Sequence, residues 1–183
     1  MDAMDAIEIL KAEHKAVKAS MAEIVRGSDG NRKILFAAFK RELELHDAIE
    51  REVFYPMISA HPRTFGFQGM DTETRRAVAK ALRNLETLPA DSTDWFPYFK
   101  AIQGILGRQM DAEEFSVFER VREALGPDEL DQLGRRMVYE RHQRISAAVQ
   151  PPRGTASAAP PRLPSRSMGA APKAQGNGGS TTF

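Results

Sequence analysis

Apolar residues recur at intervals of three and four along most of the first 148 residues, which is the period of a helix with one buried face. Glycine, proline and small polar residues interrupt this pattern and give the ends of the helices. The pattern predicts helices over about Met4 to Arg26, Arg32 to Ile58, Asp71 or Thr72 to Leu88, Trp95 to Leu125, and Pro127 to Ala148. Long helices with short connections form up-and-down neighbours, so we predict an all-α four-helix bundle with a short fifth helix.

Polar residues occupy several positions of the stripes that should be buried. His14 lies in the middle of the first stripe, His46 and Glu50 lie one turn apart in the second, and Gln109 and Glu113 repeat that spacing later. A buried carboxylate loses its hydration, so it needs a cation or several hydrogen bonds. A bound metal ion would provide that cation. The alternative is a bundle without metal, in which these groups hydrogen-bond to one another.

The segments that carry these residues resemble a known family. ILKAEHKAV and LHDAIEREVFYPMI resemble the first and second helices of hemerythrin-like domains of the bacterial, cation-binding type, whose ligand order is H…HxxxE…H…HxxxE. EALGPDELDQLGRRMVYER looks like the closing helix of that family. The resemblance covers roughly residues 3 to 148. It implies a four-helix bundle that holds two irons, bridged by two carboxylates and capped by histidines.

The resemblance also implies which residues bind the metal. The positions that match the ligands of one iron and the two bridges are His14, His46, Glu50 and Glu113. The histidines of the other iron fall on Gln109 and at or near Arg75, and neither an amide nor a guanidinium is a good iron ligand. We therefore expect a mononuclear iron site rather than a di-iron one, with Arg75 pairing with Glu113 in place of the second metal.

The altered site bears on function. By analogy with the family, it favours sensing or binding of oxygen, nitric oxide or redox state over oxygen transport. The alternative is a degenerate, metal-free bundle that serves as an interaction or scaffold module, which the replacements at Gln109 and Arg75 favour. Reduction of oxygen or peroxide by a carboxylate-bridged metal is a third, less favoured possibility, because no substrate pocket can be read from the sequence.

Other residues receive simpler interpretations. Core packing is predicted for Phe54, Tyr55, Met57 and Val117. Solvent exposure is predicted for His61 and His142. The loop HPRTFGFQGM carries Phe65 and Phe67, which we expect to fold back as a lid over one end of the bundle.

Composition narrows the possible compartments and metal sites. The chain has no cysteine, which excludes disulfides, thiolate metal sites and iron–sulfur clusters, and argues against the cysteine-dependent members of the family that repair such clusters. No stretch of about 18 apolar residues is present, so we predict no membrane span. The start MDAMDAIEIL has acids where a secretion signal has bases, and a cytoplasmic location is expected.

The end of the chain differs from the rest. Residues 149–183 are rich in proline, glycine, serine and alanine, and their charged residues are the four bases Arg153, Arg162, Arg166 and Lys173. Such a segment buries too little apolar surface to offset its ordering entropy, so we predict a disordered tail that is able to contact a protein partner. Subtracting these four charges from the net charge of +1 leaves residues 1–148 at −3, which argues against a nucleic-acid surface.

Overall fold

The computed structural model describes residues 4–149, without the side chain of Asp29. Within these residues the chain is helical and has no β-strand. The elements are α1 (Ala6–Arg26), α2 (Asp29–Ile49), the π-helical turn π1 (Glu50–Phe54), α3 (Tyr55–Ala60), α4 (Thr72–Thr87), α5 (Trp95–Ala112), the π-helical turn π2 (Glu113–Val117), α6 (Phe118–Ala124) and α7 (Pro127–Val149). Because α2, π1 and α3 follow one another without a break, they form one long helix, and α5, π2 and α6 form another. Together with α1, α4 and α7 they make five helices within the described residues. The predicted all-α bundle with a fifth helix is therefore confirmed.

The element bounds refine the expectations from sequence. The second helix begins at Asp29, before the expected start at Arg32. The fifth helix, α7, has 23 residues, compared with 21 in α1, so the expectation that it is short is wrong. The predicted tail lies outside the described residues, apart from Val149 at the end of α7. None of the helices in residues 4–149 has the length and apolar composition of a membrane span.

Aspartates fix the starts of two helices of the bundle. The side chain of Asp5 accepts hydrogen bonds from the backbone N–H groups of Ile7 and Glu8 at the start of α1. Asp71 does the same for Glu73 and Thr74 at the start of α4. These bonds satisfy backbone donors that have no partner inside the helix, and each cap is typically worth about 1 kcal/mol. The caps thereby help to set where α1 and α4 begin.

The apolar core consists of two clusters. The first cluster lies between α1, α2, α4 and α5, and its largest side chains are Phe36, Phe39, Trp95, Phe99 and Met21. The second cluster lies between α1, π1, α3, α6 and α7, and its largest side chains are Phe54, Phe118, Tyr55, Ile58 and Met137.

A layer of buried polar residues separates these two clusters along the helices. On α1, Leu10 belongs to the second cluster and Val17 to the first, while the fully buried His14 lies between them. The buried residues His46 on α2 and Glu113 in π2 occupy the corresponding positions on their own helices. The candidate site is therefore placed at the middle of the bundle, enclosed by apolar side chains on both sides.

Helix α7 closes the bundle at the second cluster. Leu130, Leu133 and Met137 pack into that cluster. Gly134 allows a close crossing with the start of α1, because a Cβ atom at this position would lie 1.7 Å from the carbonyl oxygen of Met4. Only glycine permits this approach, since every other side chain would meet backbone rather than a movable side chain.

The loop after α3 covers this end of the bundle only in part. Phe67 packs against the second cluster, whereas Phe65 is 81% exposed, so the predicted lid is confirmed for Phe67 and is wrong for Phe65. Gly69 approaches Tyr55 so closely that a Cβ atom would lie 2.5 Å from its ring. Met57 is 44% exposed, and its predicted core position is wrong. Helix α3 instead buries Ile58.

Candidate metal centre

Each of the two buried carboxylates lies at the first residue of a π-helical turn. Glu50 begins π1 and Glu113 begins π2. A π-helical turn holds one more residue than an α-helical turn, and such turns are frequent at functional sites. The two turns have equivalent sequence contexts, since Glu50 follows His46 by four residues and Glu113 follows Gln109 by four. The paired turns aim both carboxylates into the polar layer between the two apolar clusters.

The imidazole of His14 is held by a carboxylate from π2. Its Nδ1 lies 2.9 Å from Oε1 of Glu114, which also accepts from Nζ of Lys18 at 3.1 Å. Burial would raise the pKa of Glu114, but the bonds from Lys18 and His14 outweigh burial and lower that pKa, so Glu114 is an ionised acceptor. Nδ1 therefore donates the proton. With Nδ1 as the donor, Nε2 is the ring atom that faces the interior and would bind a metal, as in a metal-bound histidine.

The imidazole of His46 is held in the same way by α1. Its Nδ1 lies 2.8 Å from Oε2 of Glu13, and the other oxygen of Glu13 accepts from Nη1 of Arg141 at 3.0 Å. The Nε2 atom of His46 lies 3.5 Å from Oε1 of Glu50. Arg141 extends from α7, so this helix takes part in orienting the site. Both histidines thus have the outer hydrogen bond that fixes metal ligands in proteins.

The free ring nitrogens and the carboxylates converge on one point. Nε2 of His14 lies 3.7 Å from Oε1 of Glu50 and 3.6 Å from Oε2 of Glu113. Nε2 of His14 and Oε1 of Glu50 are buried and have no hydrogen-bond partner within the described part of the chain. Ligand atoms of His14, His46 and Glu50 all lie within 4.8 Å of one another. A metal ion with ligands at about 2.1 Å separates them by about 3 to 4 Å, so these residues fit a bound metal.

The second carboxylate has a different environment on its other side. Oε1 of Glu113 accepts from the hydroxyl of Tyr55 at 2.7 Å and from Nε2 of Gln109 at 3.1 Å. Gln109 therefore acts as a neutral hydrogen-bond donor to Glu113. Tyr55 is buried in the core as predicted, but its polar role was missed. The backbone N–H of Tyr55 bonds to the carbonyl oxygen of Glu50, so the π-helical turn stacks Tyr55 next to the site.

The charges of this layer shift its titrating groups. Burial is the largest cause that raises the pKa of Glu113 above its ordinary value, and the charge of Glu50 is the second. Burial also raises the pKa of Tyr55, as does the charge of Glu113, so its hydroxyl stays a donor at neutral pH. Burial alone would lower the pKa of His46, but the carboxylates of Glu50 and Glu13 outweigh it and raise that pKa. Negative charge therefore accumulates here beyond what local donors offset, which favours a cation.

The structure places Arg75 at the edge of the site. Its Nε donates to Oδ1 of Asp47 at 2.6 Å, and both side chains are partly exposed. The expected ion pair with Glu113 is therefore corrected to an ion pair with Asp47. The reason lies in the register of α4, which buries Val78 and Leu82 and leaves Arg75 beside α2.

We expect the Arg75→Ala substitution to lower the free energy of unfolding by about 1 kcal/mol or less, because partly exposed ion pairs contribute little. Urea unfolding of this variant and of Arg76→Ala, which changes an exposed neighbour, measures the effect. A loss of about 3 to 5 kcal/mol on Arg75→Ala alone would contradict the surface assignment, since that loss is typical of a broken buried ion pair.

The remaining histidines lie away from the site. His142 is exposed on α7, as predicted. His61 is half-buried rather than exposed as predicted, and its Nε2 lies 3.9 Å from Oε1 of Glu129. The carboxylates Glu13 and Glu114 are the functional residues that sequence reasoning missed. In the sequence, Glu13 and Glu114 are marked only by their position next to the core residues His14 and Glu113. Their partners could not be found from the sequence, because each bonds to a histidine on another helix.

Comparison with known proteins identifies the family of the chain. No curated protein and no solved structure matches it significantly. The model of the hemerythrin HHE cation binding domain matches residues 5–121. This range includes both buried histidines and both buried glutamates of the polar layer, and it covers most of the described bundle. The chain therefore belongs to the hemerythrin HHE cation-binding family.

Proposed function

We propose that this protein binds a single non-haem iron through four residues of the polar layer. These residues are His14, His46, Glu50 and Glu113. The observation that carries the proposal is the pair of buried atoms without a hydrogen-bond partner, Nε2 of His14 and Oε1 of Glu50. Two imidazoles and one carboxylate with further positions open are a typical ligand set of non-haem iron. Glu113 adds a second carboxylate through the oxygen that faces His14.

The contacts around Glu113 support one metal rather than two. Its outer oxygen already accepts from Tyr55 and Gln109, so it is satisfied without a second metal. Arg75 contributes a cation at the edge of that space and pairs with Asp47. Neither an amide donor nor a guanidinium replaces an imidazole as a ligand. The chain thus retains the ligands of one metal and satisfies the other half-site with its own hydrogen bonds.

The chemistry of the site supports sensing or binding of a small molecule such as oxygen or nitric oxide, or a response to redox state. Bound iron would supply a redox-active centre with open coordination positions. The protein holds both imidazoles by carboxylates and places an apolar cluster on each side of the centre along the helices. We also propose a cytoplasmic location, which suits a small protein without cysteine.

Iron content tests this proposal. Protein loaded with Fe(II) under anaerobic conditions and then desalted is expected to retain about one iron per chain, because one set of ligands survives. Elemental analysis against protein concentration gives the ratio. Two irons per chain would contradict the mononuclear site, and no iron would favour the metal-free scaffold. Addition of oxygen or nitric oxide should then change the visible absorption of the iron-loaded sample, with the zinc-loaded protein as the control.

A further inference from the structure

A cavity of about 190 Å³ lies beside the candidate centre, between α2, α4 and α5. Its inner end is formed by polar groups of the site, among them Glu50, Gln109 and Glu113. Its walls are apolar and include Leu43, Val78, Leu82 and Leu106. The cavity therefore joins a polar end at the centre to an apolar body.

The cavity also reaches the surface. Glu44 and Arg83, which line its outer part, are exposed. Gln109 and Arg75 both line it, and the family resemblance places the histidines of the second iron at or near these two positions. On α4 the cavity is faced by Val78, Ala79 and Leu82 instead of a metal ligand. The region of the altered half-site is thus an accessible, largely apolar pocket with one wall formed by residues of the candidate centre.

We propose that this pocket binds a small organic molecule with an apolar body of about six to eight heavy atoms and a hydroxyl at its inner end, such as a simple phenol. An apolar cavity of about 150 Å³ is known to hold benzene, so the volume suits a single ring with one polar substituent. The apolar walls provide the affinity and the polar end sets the orientation. This proposal adds an organic ligand to the proposed function.

The polar end favours a hydroxyl over other groups. A ligand carboxylate would meet the carboxylates of Glu50 and Glu113, and this like-charge contact is unfavourable. A hydroxyl donates a hydrogen bond to a carboxylate, and the carboxylates of Glu50 and Glu113 both line the cavity. Its oxygen also has lone pairs that suit a metal at the proposed centre. A hydroxyl therefore fits the site both with and without the metal.

Binding of phenol tests the proposal on the full chain, in both metal-free and zinc-loaded protein. Calorimetry is expected to give a Kd of about 1 mM or tighter, which is typical for a ligand of this size. In the metal-free protein, benzene and benzoate serve as probes of the polar end and should bind at least about tenfold more weakly than phenol. Equal or tighter binding of either would overturn the assignment of a hydroxyl.

Two tryptophan substitutions on α4 locate the binding site. Ala79→Trp should fill the pocket and weaken phenol binding at least about tenfold, because Ala79 lines it. Ala77→Trp, on the exposed face of the same helix, should leave binding unchanged.

In the unaltered protein, phenol should shift the methyl NMR signals of Leu43, Leu82 and Leu106, so the result does not depend on a variant. Shifts elsewhere, or equal binding by Ala79→Trp, would overturn the proposal. Iron content is measured independently of phenol binding. A failure of the iron proposal is therefore distinguishable from a failure of the pocket proposal.

Discussion

Replacing His46 with alanine is expected to remove most of the bound iron. The substitution deletes one of two imidazoles of the proposed centre and leaves Glu13 and Glu50 without a nitrogen between them. Changes in groups that only orient a metal ligand weaken binding about 10- to 100-fold, so loss of the ligand itself should weaken it by about 100-fold or more. Iron retained after desalting, together with a competitive metal titration, measures this loss.

His142→Ala is the matched control, because His142 is exposed on α7 and lies outside the centre. This variant should retain the full iron content. Circular dichroism of both variants distinguishes loss of metal from loss of fold. Iron content of the His46→Ala protein equal to that of the parent would show that the metal binds elsewhere, and the proposed ligand set would then be wrong.

Helical periodicity was sufficient to place the four proposed ligands in the core. His14, His46, Glu50 and Glu113 recur in step with apolar residues, and all of them are buried. Periodicity works here because the side chains of an α-helix share a face only at spacings of three and four. Periodicity alone left two interpretations of these residues open, metal binding and a hydrogen-bonded core without metal. The family resemblance favoured metal binding.

The π-helical turns explain where periodicity failed. Each turn inserts one residue into the helical pattern and shifts the buried face by one position. After Glu50 the stripe therefore continues to Ile58 instead of Met57, which is 44% exposed. After Glu113 it continues to Phe118, which is fully buried, instead of the half-buried Val117. Nothing in an amphipathic pattern of period 3.6 indicates such a shift in advance.

Contacts between helices were also beyond the reach of the sequence. Glu13 follows the first stripe beside His14, but it bonds to His46 on α2. Glu114 lies beside Glu113, but it bonds to His14 on α1. The partner of a side chain on another helix depends on how the helices are rotated and shifted against each other, which spacing within one helix does not determine. The wrong prediction that Arg75 pairs with Glu113 has the same cause.

Without metal, the protein is expected to lose stability as the pH rises above 4.5, the ordinary pKa of Glu113, and further as it rises above 6.5, the ordinary pKa of His46. Burial and Glu50 raise the pKa of Glu113 above its ordinary value of 4.5, so the folded protein keeps a proton there that the unfolded chain loses. The pKa of His46 is raised above 6.5 because Glu50 and Glu13 outweigh burial. Its stabilising contribution is complete below pH 6.5 and disappears as the pH rises through the pKa of the folded state. Both groups therefore act in the same direction.

Bound iron is expected to reverse this dependence, because the ligands bind a cation only in their deprotonated forms. At a free iron concentration 100 times Kd, the stabilisation is about 2.7 kcal/mol. Urea unfolding of anaerobic Fe(II)-loaded and chelator-treated protein at about pH 5.5 and about pH 8 measures both slopes. The control is Glu113→Gln, which keeps an acceptor for the hydroxyl of Tyr55 without the charge and should weaken the metal-free dependence, because only the contribution of His46 remains. Metal-free protein that gains stability over this range, or iron without effect near the upper pH, would show that the polar layer is balanced without a cation.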